Sequence, residues 1–209
     1  MRGLLLKDWY MMKQYCRYYL FCVIGFTVLS VMSSGNMFFV FYPCLLCGMI
    51  PVNLIGYDER SRWMQYSGTM PYTKAQVVSG KYLIGLFAQL IILLVMGAAQ
   101  AAKMIIAGDF VLGEFAVLIL LMLIISTLTS SISLPFIFKL GVEKGRTAYY
   151  VMIGFVCAAS VLASSLFKGQ LGIEMKPSLA LVIVAVAGIG IYIFSWYMSI
   201  VFYKKREIQ

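Results

Sequence analysis

The stretch Tyr57-Asp58-Glu59-Arg60-Ser61-Arg62-Trp63-Met64-Gln65-Tyr66, continuing Ser67-Gly68-Thr69-Met70-Pro71-Tyr72 and Thr73-Lys74-Ala75-Gln76 to Lys81, is the longest polar interruption in an otherwise lipid-soluble chain. Glu59, Trp63 and Tyr66 stand at i, i+4 and i+7, which predicts a short helix with those three side chains on one face. Gly68 and Met70-Pro71 end it, because the residue before proline avoids the helical region. Thr73 followed three residues later by Gln76 has the spacing of a capping box and starts a new helix.

On both sides of this stretch the chain is apolar. Of 209 residues, 62% are hydrophobic and 12% charged, which excludes an ordinary soluble domain. A bilayer core of about 30 Å takes about 20 apolar residues per helix. Six runs qualify: 18–34, 37–56, 82–102, 114–138, 148–167 and 178–202. They leave no space for a separate soluble domain, so a single membrane domain over 1–209 is expected. A β-barrel needs alternating polarity. Stretches such as 90–96 and 117–125 are apolar on every face, so the expected fold is all-α and polytopic.

The net charge of +9 suits nucleic acid less well than its distribution suits a membrane. Fourteen of the 17 basic residues flank the spans on one side: Arg2, Lys7, Lys13, Arg17; Arg60, Arg62, Lys74, Lys81; Lys139, Lys144, Arg146; Lys204, Lys205, Arg206. Lys103, Lys168 and Lys176 lie on the other side, beside Asp109, Glu114 and Glu174. By the positive-inside rule both termini face the cytosol, and no nucleic-acid partner is expected. Residues 1–17, basic and aromatic, read as an uncleaved interfacial helix with Leu5, Leu6, Trp9, Met12 and Cys16 on its apolar face. Ser33-Ser34-Gly35-Asn36 reads as an external turn. Pro43 and Pro51 are expected to bend the second span. Gly97 with Ala101, and Gly154 with Ala158, have the spacing of close helix contacts.

Little in the chain suggests chemistry. Cys44 and Cys47 form a C-x-x-C inside an apolar span, and no histidine exists to complete a metal site or act as a base. No charged residue lies in the middle of a predicted span, whereas ion-coupled carriers need one there. Ser79-Gly80-Lys81 lacks the earlier glycine of a phosphate loop, since Ala75 stands in its place. The chain is therefore expected to bind no cofactor and to have no ATPase activity of its own.

Asp58-Glu59-Arg60-Ser61, Trp63, Tyr66, Met70-Pro71 and Val77-Val78-Ser79-Gly80-Lys81-Tyr82 resemble the first cytosolic loop of small type-2 ABC transporter permeases. Pro135 followed by Lys139-Leu140-Gly141-Val142-Glu143-Lys144-Gly145-Arg146 is similar to their second loop, and Leu6-Lys7-Asp8 to their N-terminal segment. Met70 stands where Leu-Pro is frequent in that family. The resemblance implies a six-span permease paired with a second permease, identical or homologous, and with two ATPase subunits that carry ATP and Mg. It implies that 57–72 is the coupling loop, with Asp58, Glu59, Arg60, Arg62, Trp63 and Tyr66 meeting the ATPase. Lys139, Glu143, Lys144 and Arg146 would form the second contact. Relatives include exporters of phenol-soluble modulins and bacteriocin-immunity exporters, mostly in the plasma membrane of bacteria. The alternative is a non-transporting membrane interaction or immunity protein. An intramembrane enzyme lacks its catalytic groups.

Single cysteines introduced at Asn36 and Gly172 should react with an impermeant thiol reagent added outside the cell. Labelling of either from the cytosol alone overturns the predicted topology.

Overall fold

In a computed structural model the residues described are 2–15, 17–32, 37–67, 69, 71–108, 110–147, 150–151 and 177–205. They form α1 (Arg2–Tyr15), α2 (Arg17–Met32), α3 (Met37–Gly48), α4 (Ile50–Arg60), α5 (Trp63–Ser67), α6 (Lys74–Ala107), α7 (Leu112–Leu140) and α8 (Pro177–Lys205). Residues 142–147 are also helical. The protein is an all-α, polytopic membrane protein. Met37–Arg60, Lys74–Ala107, Leu112–Leu140 and Val186–Lys205 are each long and apolar enough to cross a bilayer. The α1–α2 pair, bent by 61°, makes a fifth candidate. The expected span 148–167, the turn 33–36, the loop 168–177, the Gly154–Ala158 pair, Gly68 and Met70 fall wholly or largely outside the described residues.

The helices begin and end where local chemistry says they should. Thr73 Oγ1 accepts the Gln76 N–H at 3.3 Å, and Gln76 Oε1 accepts the Thr73 N–H at 3.1 Å. This is the predicted capping box. At the other end of α6, Gly108 takes φ 78 and closes the helix in the left-handed region that glycine tolerates. Helix α4 begins after Met49, and Pro51 occupies its first turn, where its missing N–H costs little.

The exterior of the bundle is apolar as well as its interior. Large apolar side chains such as Phe21, Leu94, Ile106 and Ile193 point outward, as lipid requires. Serines, threonines and glutamines line the helix contacts. Small residues let the backbones approach: a Cβ on Gly48 would lie 2.7 Å from Thr129, and one on Gly97 would lie 2.8 Å from Ile119. Part of the expected apolar face of α1 likewise turns outward. Its inward face carries Leu4, Asp8 and Met11, while Leu6, Trp9 and Tyr10 are exposed.

The expected fourth span ended at residue 138, with Pro135 to Arg146 resembling the second cytosolic loop. Instead α7 runs through Pro135 to Leu140, and the turn is confined to Gly141 at φ 84. Proline inside a helix deprives the carbonyl four residues earlier of its N–H partner. That carbonyl belongs to Ser131, and the Ser195 hydroxyl of α8 donates to it at 2.6 Å. Ser195 and Ser199 also flank the Tyr82 hydroxyl at 2.8 and 2.7 Å. Tyr82 stacks on Trp196 at 5.4 Å. One hydroxyl from a neighbouring helix thus makes Pro135 tolerable in apolar surroundings.

Ser195→Ala should lower the melting temperature in detergent by several degrees, since an orphaned buried carbonyl costs about 1–3 kcal/mol. Adding Pro135→Ala restores the intrahelical donor and should recover at least half of the loss. Equal losses in the single and double variants would show that the proline is not what Ser195 compensates.

Candidate functional site

The polar contacts concentrate at the end of the bundle where α1, the ends of α4, α7 and α8, and the start of α6 meet. Four charged side chains form a closed ring there. Lys7 Nζ lies 2.6 Å from Asp58 Oδ1, and Lys81 Nζ lies 2.5 Å from Asp58 Oδ2. Lys81 also pairs with Asp8 Oδ1 at 2.7 Å, and Lys7 completes the ring to the same oxygen at 3.3 Å. Asp8 and Asp58 are 2% exposed and Lys81 is 3% exposed. Charges alternate around the ring and sum to zero, the condition under which burying them is tolerable. Helix length places Lys81 about 10 Å inside α6, at roughly 1.5 Å per residue from Lys74. Lys7 also sits over the Trp63 ring, 4.2 Å from its centroid, so α5 is held to the ring by a cation–π contact.

The predicted coupling helix is not continuous. Ser61 and Arg62 interrupt it between α4 and α5, with Arg62 in the left-handed region at φ 54. The Ser61 N–H returns to Tyr57 O at 3.0 Å, and that of Arg62 to Glu59 O at 3.2 Å. The break separates the predicted common face. Glu59 turns toward the second loop and accepts the Val142 N–H at 3.0 Å. Trp63 is half-buried under Lys7, with its Nε1 buried and without a hydrogen-bond partner. Tyr66, 5.6 Å from Trp63 between ring centroids, is 58% exposed. Asp58, expected at the partner surface, is consumed by the ion ring. Arg60 and Arg62 are exposed.

The second predicted group divides in the same manner. Arg146 reaches back across the bundle and its Nη2 donates to Asn53 Oδ1. Asn53 Nδ2 in turn donates to the Tyr19 hydroxyl at 2.6 Å. Lys139 is exposed with its ammonium 5.2 Å from the Phe202 ring. Glu143 and Lys144 are exposed. Between the two loops lies a cavity of about 530 Å³, bordered by Asn53, Tyr57, Glu59, Arg60, Val142 and Arg146 among others. The two sequence-predicted groups are therefore adjacent and hydrogen-bonded to one another.

Lys7, Asp8, Lys81 and Asn53 were missed as site residues. Lys7 and Lys81 read as members of a basic rim, although each ends in a pair with an aspartate. The available signal was scarcity: a chain with 8 acidic residues places two of them where only lysines can reach.

Fold and polar architecture define a multi-pass helical membrane protein in which the loops after α4 and α7 meet at one end. Residues 3–204 match the family described as ABC-2 family transporter protein, and the chain belongs to that family. It is an ABC-type membrane permease, a transport component. No curated protein and no solved structure matches the chain.

Lys81→Met leaves two buried carboxylates sharing Lys7 and should destabilise by about 3–5 kcal/mol, seen as lost folded yield in detergent. Asp8→Asn with Lys81→Met keeps one complete pair, Lys7–Asp58, and should be the milder change. A double variant as damaged as the sum of the singles would show that the ring members act independently.

Proposed function

We propose that this chain is the permease subunit of an ABC exporter. It moves an amphipathic peptide or other hydrophobic cargo out of the cell, driven by ATP hydrolysis in a separate ATPase subunit. The family implies an ABC ATPase in general terms. The assembly proposed is two permeases, identical or homologous, with two ATPase copies that bind ATP and Mg. No cofactor resides in this chain. Its place is the bacterial plasma membrane with both termini in the cytosol, a reading supported by the 14 basic residues on one side.

The observation that carries the coupling assignment is the bracing of the α4–α5 junction. The ion ring ties α4 to α1 and α6, Trp63 ties α5 to the ring, and Glu59 ties α4 to the second loop. A force applied at exposed α5 is passed to three membrane helices through short, directional contacts. In this arrangement Tyr66, Arg60 and Arg62 meet the ATPase, with Lys139 and Lys144 beside them. Asp58, Trp63 and Arg146 act behind that surface as positioning residues. At the far end, a largely apolar cavity of about 700 Å³ with Lys103 and Glu114 among its lining residues suits an amphipathic cargo.

Tyr66→Ala with Arg60→Ala should leave membrane expression unchanged and reduce ATPase retention in a pull-down about tenfold or more, or about 1.4 kcal/mol. Equal retention and equal export in variant and wild type would make α5 an interfacial anchor and sink the coupling assignment.

A further inference from the structure

Lys13, Gln14 and Tyr15 of α1, Arg17 and Tyr18 of α2, and Tyr57 of α4 border a space of about 360 Å³ outside the ion ring. Two of these six residues are cations and none is an anion. Lys7 and Lys81 are neutralised by aspartates, but among the described residues neither Lys13 nor Arg17 has an ion-pair partner. Both are exposed, as are Gln14, Tyr15 and Tyr18. Tyr15 stacks on Tyr57 with ring centroids 4.3 Å apart, which fixes one wall. The Arg17 guanidinium lies 5.4 Å from the centre of the Tyr18 ring.

Unneutralised cations among hydrogen-bond donors select an anion. Which anion is decided by the surface that continues from the pocket. Arg17, Phe21, Ile24 and Val28 stand at i, i+4, i+7 and i+11, so they share one face of α2. All four are exposed. From Arg17 to Val28 the helix rises about 16 Å at 1.5 Å per residue, roughly half of a 30 Å bilayer core and so the depth of one leaflet. A cationic pocket at the head of an apolar, outward-facing strip matches an amphiphile, with its charge in the pocket and its chain along the strip. A soluble anion or an acidic protein segment would use the pocket and leave the strip without a role.

We infer that this pocket holds the phosphate of an anionic phospholipid whose acyl chain runs along α2 past Phe21, Ile24 and Val28. Arg17 offers its planar fork to the phosphate oxygens, and Lys13 offers a mobile point charge. Gln14 and the tyrosine hydroxyls are donors for the oxygens that remain. Tyr57 precedes Asp58 of the ion ring and also borders the cavity between the two loops. A bound headgroup therefore joins α1, α2 and α4 beside the ring. This inference does not rest on the export reading, because lipid binding is measurable on the permease with no ATPase or cargo present.

The test is native mass spectrometry of the full chain in neutral detergent, titrated with dioleoylphosphatidylglycerol or dioleoylphosphatidylcholine. The wild type should bind the anionic lipid about tenfold more tightly or better, as two cations near an anionic headgroup allow. Lys13→Gln with Arg17→Gln should abolish that preference, while Lys13→Arg keeps it. Lys204→Gln with Lys205→Gln removes the same charge elsewhere and should leave the preference intact. Lipid-free melting temperatures should agree among these variants, because every substituted side chain is exposed. Glycerophosphoglycerol, the same headgroup without acyl chains, should compete far more weakly than the lipid. Equal binding of the two lipids, or equal loss in the two double variants, overturns the site and leaves a basic rim of general charge. Equal competition by glycerophosphoglycerol overturns the assignment to a lipid. Loss of ATPase retention in Lys13→Gln with Arg17→Gln, with the lipid preference unchanged, gives the pocket to a protein partner and overturns it as well.

Discussion

The alternating ring of Lys7, Asp58, Lys81 and Asp8 depends on all four charges, because Asp58, Lys81 and Asp8 are buried beyond the reach of compensating water and only Lys7 is partly exposed. Its attraction is strong at short range, and so is the penalty for dissolving it piecemeal. Helices α1, α4 and α6 are thereby fixed at one level. Hydrophobic packing in a lipid solvent supplies no such level, since lipid tails are as apolar as leucine. Trp63, seated over Lys7, extends the fixed geometry to α5, and Glu59 extends it to the backbone after Gly141. The basic end of the bundle is therefore specified by electrostatics and hydrogen bonds, with apolar contacts filling the remainder.

Further into the bundle hydroxyl groups take over that role. Ser131, deprived of an intrahelical partner by Pro135, is served by Ser195, which also holds Tyr82. Gln89 ties α6 to α7 through Ser130, whose hydroxyl also lies 3.2 Å from the Gly48 carbonyl. At the opposite end, Gln100 and Lys103 both reach Ser30 of α2. These contacts replace the hydrophobic effect, which has little force between helices already in lipid.

Fold class was legible because a run of apolar residues long enough to span a bilayer is a one-dimensional signal. The capping box at Thr73 was legible for the same reason, as it needs only two residues at fixed spacing. The break at Arg62 was not, because nothing local forbids a helix through Ser61-Arg62. Of the residues read from the sequence as a partner surface, Arg60, Arg62 and Tyr66 stand exposed, but Asp58, which looked identical to them, is buried. Its partners are 51 and 23 positions away, and no local periodicity reports contacts at that separation. Arg146 meeting Asn53, 93 positions earlier, was invisible on the same ground.

Sequence separation within the ring also constrains how the protein can be made. Asp8 leaves the ribosome 73 residues before the lysine that neutralises it. At translation rates of about 5–20 residues per second, that interval is on the order of 4–15 s. Throughout it, Asp8 has only its neighbour Lys7 at 3.3 Å, the longest contact of the ring, and α1 stays near hydrated headgroups while α2, α3 and α4 enter the bilayer. Its docking is thus a late step, set by the arrival of α6, although α1 is synthesised before α2, α3 and α4.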